Sequence, residues 1–112
     1  MTISDPEERR RLYEEVLAPG EGIIAVDQDA EVVEFERLDG GRVSFLVSAV
    51  VFERAMPVLA DAGRSQLGDG GSELVNAGRW LLFVMTEVAN DMSPAGRRGY
   101  RLAVDGTMVP WD

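Results

Sequence analysis

The stretch from Val32 to Val47 constrains the fold more than any other part of the chain. Val33 and Phe35 alternate with glutamates before Asp39-Gly40-Gly41, and Val43, Phe45 and Val47 recur at every second position after it. A period of two marks a half-buried strand, and a glycine-bearing break between two such runs reads as a β-hairpin. Taking Asp39-Gly40-Gly41 as a three-residue loop with a left-handed glycine opposes Phe35 to Phe45 and Val33 to Val47. The five apolar side chains then share one face, and Glu34, Glu36, Arg42, Ser44 and Leu46 share the other. A two-residue loop would set Glu36 against Phe45 and is rejected, because a one-residue slip exchanges the faces.

A second hairpin is expected over Tyr100–Trp111, around Asp105-Gly106 as a two-residue turn. That register pairs Val104 with Thr107, Leu102 with Val109 and Tyr100 with Trp111. Pro110 has no N–H to give, so the last strand belongs at an edge. Gly22–Val26 reads as a short buried strand, and Asp27–Ala30 as the turn after it.

Three segments carry helical signals. Ser4-Asp5-Pro6-Glu7 combines a capping side chain, a first-turn proline and acids near the positive helix end. Leu12, Tyr13, Val16 and Leu17 then fall on one face, and Pro19-Gly20 ends the helix. Ser48 caps a second helix with Val51, Ala55, Val58 and Ala62 as its stripe, Pro57 as a kink or late start and Gly63 as its stop. Residues 64–71 read as a mobile loop. Leu74, Gly78, Leu81, Met85, Val88 and Met92 form a further helical stripe capped by Ser72, although Trp80–Met85 also fits a buried strand. In the helical reading, Trp80 and Phe83 lie on the side that carries Asn76 and Glu87.

The order is α-β-β-β-α-α-β-β. It predicts a single α+β domain over residues 1–112, with an antiparallel sheet of about five strands. The N-terminal helix and two central helices pack on that sheet.

Composition narrows the chemistry. With no cysteine and no histidine, the chain has no disulfide, thiolate or imidazole to use, and neither a metal nor a cofactor is expected. The longest apolar run, Trp80–Met85, is far below the ~20 residues that cross a bilayer, and the N-terminus lacks a basic-then-apolar leader. A cytoplasmic protein without a membrane partner is expected. All eleven basic residues are arginine, and the formal net charge is −9. Residues 1–39 hold twelve acids and four arginines (−8), and residues 40–112 hold eight acids and seven arginines (−1). Such a field steers basic partners and repels nucleic acid.

Several constellations invite chemistry. Asp27, Asp29 and Glu31 alternate like the start of a calcium loop, but Val32 and Leu38 stand where that loop needs glycine and glutamate. Gly68–Ser72 could hold an anion, yet no Gly-Lys-Ser/Thr follows, and Asp69 and Glu73 repel phosphate. Arg97, Arg98 and Arg101 form an acid-free patch suited to a carboxylate-bearing partner or to the acidic half of a second copy. The expected function is a protein-binding module of the inhibitor, immunity or adaptor kind. Glu31, Glu34, Glu36, Trp80 and Phe83 would meet a basic protein, and a homodimer is compatible with this reading. The alternative is a small-molecule binder or a modest carboxylate-based enzyme, with a pocket of Arg79, Glu87, Asp91 and Tyr100.

Overall fold

The computed structural model describes residues 5–90 and 99–111. Asp5 caps α1 (Pro6–Arg10), its carboxylate accepting from Glu7 N–H at 2.9 Å. This helix runs straight into a π-helical stretch, Arg11–Leu17, which buries Leu12, Tyr13 and Leu17. Strands β1 (Ile23–Asp27), β2 (Val32–Glu36) and β3 (Arg42–Leu46) follow, then α2 (Ala49–Leu67), α3 (Glu73–Asn90), β4 (Gly99–Leu102) and β5 (Met108–Trp111). The order matches the expected one, and residues 73–90 are helical rather than extended.

The five strands form one sheet in sequence order. The expected all-antiparallel sheet is corrected at one place: β3 pairs with β4 in parallel, Phe45 beside Tyr100. A parallel neighbour needs a long crossover, and here α2 and α3 lie within it. Strand β1 is an edge, with Ile24 44% exposed, so the buried strand expected there is also corrected. The other edge is β5, which carries Pro110.

Both hairpins use the same turn. Arg37 N–H donates to Gly41 O at 2.7 Å and Gly40 N–H to Arg37 O at 3.0 Å. Ala103 N–H donates to Thr107 O at 2.8 Å and Gly106 N–H to Ala103 O at 3.0 Å. Gly40 and Gly106 take φ of 88° and 87°, the left-handed region that three-residue hairpin loops require. Asp39 and Asp105 each accept from the N–H two residues on, at 2.9 and 3.0 Å.

The first loop is therefore Leu38-Asp39-Gly40, one residue earlier than expected. Phe35 meets Val43 and Val33 meets Phe45, a shift of two that leaves every side chain on its expected face. The second loop has three residues, not two. Tyr100 meets Pro110, Leu102 meets Met108 and Arg101 meets Val109, so Val109 moves to the face opposite Tyr100.

The core lies on one side of the sheet. Val33, Phe35, Val43, Phe45, Tyr100 and Leu102 meet buried residues of all three helical segments. In α2 these are Phe52, Ala55, Met56 and Leu59, whereas Val58 is 55% exposed, which corrects the expected stripe. The helix also continues through Pro57 and past Gly63 to Leu67, and Gly68 (φ 85°) follows it. Thus residues 64–67 are helical rather than loop.

The Tyr13 hydroxyl donates to Val47 O at 2.7 Å and ties the N-terminal helix to the end of β3. Burial first, and the Glu31 carboxylate second, push this phenol well above its ordinary value. Unfolded tyrosine ionises near pH ~10, so Tyr13 contributes full stability below that pH and loses it as pH rises further. With Tyr100→Phe, Tyr13 is the only phenol left. Its phenolate absorbance is expected to appear together with unfolding. Ionisation near pH ~10 in a chain that is still folded would contradict the buried bond.

Candidate protein-binding surface

The outer side of α3 is set by how α3 starts. Ser72 caps it, its hydroxyl accepting from Val75 N–H at 3.1 Å. Asn76, one turn later, is fully buried. Its amide oxygen accepts from Gly70 N–H at 2.6 Å, and its amide nitrogen donates to Asp69 at 3.1 Å. Asp69 also accepts from Gly71 N–H at 2.9 Å. That N–H, and then the Asn76 amide, hold the Asp69 carboxyl below the ordinary carboxylate range. The guanidinium of Arg79 donates to Leu67 O and Gly68 O, both at 2.9 Å, and covers the end of α2. The 68–72 connection is thus bonded to α3 from within, and Gly70 and Gly71 already give their N–H groups to Asn76 and Asp69.

Beyond this clamp stand Trp80 and Phe83. Three residues apart on a helix, they are neighbours. Their rings stack with centroids 5.1 Å apart and 19° between planes. Phe83 stays 42% exposed. The pair divides two open hollows. One, of about 620 Å³, is lined by Pro57, Val58, Asp61, Glu73 and Trp80, among others. The other, of about 380 Å³, is lined by Glu21, Leu82, Phe83 and Glu87, among others. Glu21, Glu73 and Glu87 make no ion pair among the described residues. Glu73 precedes Trp80 by two helical turns, a spacing that could have drawn notice in the sequence. Nothing local points to Glu21 or Asp61.

The residues expected to meet a partner separate into three places. Trp80 and Phe83 form the stack on α3. Glu34 and Glu36 lie on the sheet face turned from the core, Glu34 accepting from the Ser44 hydroxyl at 2.7 Å. Glu31 is engaged inside the chain. One carboxylate oxygen accepts from Ala49 N–H at 2.7 Å, at the start of α2, and the other meets Arg9 at 3.3 Å.

The expected pocket is not brought together either. Arg79 and Glu87 share the second hollow, but the Arg79 guanidinium faces backbone carbonyls. Tyr100 is buried in the core, stacked on Phe45 at 5.8 Å. Asp91 lies outside the described residues, as do Arg97 and Arg98. Asp27 accepts from Asp29 and Ala30 N–H, both at 3.0 Å, as a turn former. Among the described residues, no group of three or more acidic side chains converges to hold a metal ion, and no helix is long and apolar enough to cross a membrane. Comparison of the chain with protein-family models, with curated proteins and with solved structures finds no match.

Proposed function

We propose that this chain is a cytoplasmic protein-binding module that takes a basic partner on the outer side of α3. The observation that carries the reading is the stacked, partly exposed Trp80–Phe83 pair between two hollows, each edged by two carboxylates and one arginine, Arg64 in the first and Arg79 in the second. Aromatic side chains supply most of the affinity at protein interfaces, and an indole face also attracts arginine or lysine. Glu21, Glu73 and Glu87 favour a cationic approach, and such charges act mainly on the association rate.

The test is retention of cell proteins on the immobilised chain at low and high salt, run beside Phe83→Ser and Glu87→Arg. A basic protein held at low salt by the wild type, released at high salt and lost from Phe83→Ser is the expected result. Glu87→Arg should slow its association by roughly threefold or more and flatten the salt dependence. The same proteins retained equally by wild type and Phe83→Ser would refute the reading.

A further inference from the structure

The sheet presents a second surface that the α3 reading does not use. On the face turned from the core, acids and arginines are sorted by strand. Asp27 on β1 and Glu36 on β2 lie to one side, and Arg42 on β3 and Arg101 on β4 to the other. Val32 and Leu46, adjacent on β2 and β3, lie at the boundary between the two halves. Asp27, Glu36, Arg42 and Arg101 are all exposed. Glu36 and Arg42 are cross-strand partners, yet they make no ion pair with each other.

From this arrangement we propose that the outer face of the sheet is the interface of a two-fold homodimer. A two-fold axis along the strands, between β2 and β3, lays β2 over the partner's β3 and β1 over the partner's β4. Because such an axis preserves position along the strand, each row of the sheet meets its own row in reverse. Glu36 then faces the partner's Arg42, Asp27 faces the partner's Arg101, and Val32 faces the partner's Leu46. Every pair is made twice, as a self-complementary interface requires. Two sheets packed in this way stand about 10 Å apart, a gap that these side chains fill. A second copy is the occupant because the charges match only after such a rotation, whereas a uniformly basic partner would meet two arginines.

The four strands that overlap, β1 to β4, cover roughly 300 Å² per copy, below the ~800 Å² of a standard interface, so a weak dimer that dissociates at about 100 µM or above is expected. Sedimentation equilibrium from below that concentration to above it should show the mass rising from 12.3 kDa toward twice that value. Arg101→Glu is the decisive variant. Its neighbours across the strands are Leu46 and Val109, but Glu31 lines the same hollow, so Arg101→Gln, which adds no negative charge, is measured beside it and a thermal melt checks that both variants are folded. Arg101→Glu should weaken the dimer about tenfold or more. Arg42→Glu should do likewise, and the exchange Glu36→Arg with Arg42→Glu should restore the dimer. A chain that stays monomeric at ~1 mM, or an Arg101→Glu dimer as tight as the wild type, would overturn the proposal. So would loss of the dimer in Phe83→Ser, which would move the interface to α3. The outcomes at Arg42 and Arg101 do not bear on whether α3 binds a basic protein.

Discussion

Gly63→Ala is expected to lower the unfolding free energy by about 3 kcal/mol or more, a fall in Tm of roughly 12–20 °C. The sign is the informative part. Within an exposed helix, replacing glycine by alanine adds about 0.5–1 kcal/mol of stability. Gly63 lies inside α2 and is buried where α3 crosses it. A Cβ built there overlaps the backbone carbonyl oxygen of Asn76 and stands 3.1 Å from its carbonyl carbon. The obstacle is backbone of the partner helix, so relief requires the two helices to separate. That movement would also loosen the packing of Leu59, Ala77 and Leu81, all buried in the same core. Gly78→Ala is the companion measurement. Its Cβ would overlap Cγ1 of Val16, a side-chain rather than a backbone atom but one on a stiff β-branched residue, so this variant too should lose stability. Thermal melts followed by circular dichroism compare the two. A Gly63→Ala chain that melts higher than the wild type would mean that the helices do not cross at this glycine.

Gly63 also shows why part of the fold was hidden in the sequence. A glycine after an apolar helix commonly marks its end, and nothing local separates that use from a close crossing. The buried face of α2 is hidden for a related reason. Apolar residues run most of the way round it, so the stripe through Val51 and Val58 fits as well as the one through Phe52, Met56 and Leu59. The larger side chains occupy the core. In the first hairpin the faces were legible although the register was not, because a shift of two preserves a pattern of period two. The second hairpin turned on whether Asp105-Gly106 makes a two- or three-residue loop. The shared Asp-Gly turn answers that only after the fact. Parallel pairing of β3 with β4 follows from the path of two helices, which no local pattern encodes.

The candidate surface was legible only in part. The Trp80–Phe83 stack follows from helical spacing, and that much could be read in advance. Acidic residues looked alike in the sequence, but their tasks differ. Glu31 adopts φ 59° and turns inward onto the start of α2, whereas Glu36 stays exposed on the sheet. The inward acid is held by contacts with Arg9 and Ala49, 22 and 18 residues away in the chain. Long-range partners of this kind leave no local periodicity to find. Helical spacing sets Asn76 on the polar side of α3, yet it is the only fully buried polar residue among those described.

Asn76→Asp is expected to be among the most damaging single changes outside the apolar core, at about 3–5 kcal/mol near neutral pH. The substitution keeps the shape and the acceptor for Gly70 N–H. It removes the donor that faces Asp69 at 3.1 Å and puts a buried carboxylate there instead. Burial and the neighbouring carboxylate both raise the pKa of the introduced group above its unfolded value of ~4. A group raised in the folded state does little harm below its unfolded pKa. The penalty grows as pH rises, because the unfolded chain releases a proton that the folded chain retains. Protonated, the introduced carboxyl donates to Asp69 much as the amide does, so wild type and variant should converge near pH ~4. Asn76→Ala supplies the contrast. It loses both bonds and leaves a small void, at about 2–3 kcal/mol. Urea unfolding at several pH values separates the two variants. A loss for Asn76→Asp that is constant with pH would mean that the side chain does not face Asp69. The growing penalty would show that the turn between α2 and α3, which leads into the helix carrying Trp80 and Phe83, depends on one neutral amide.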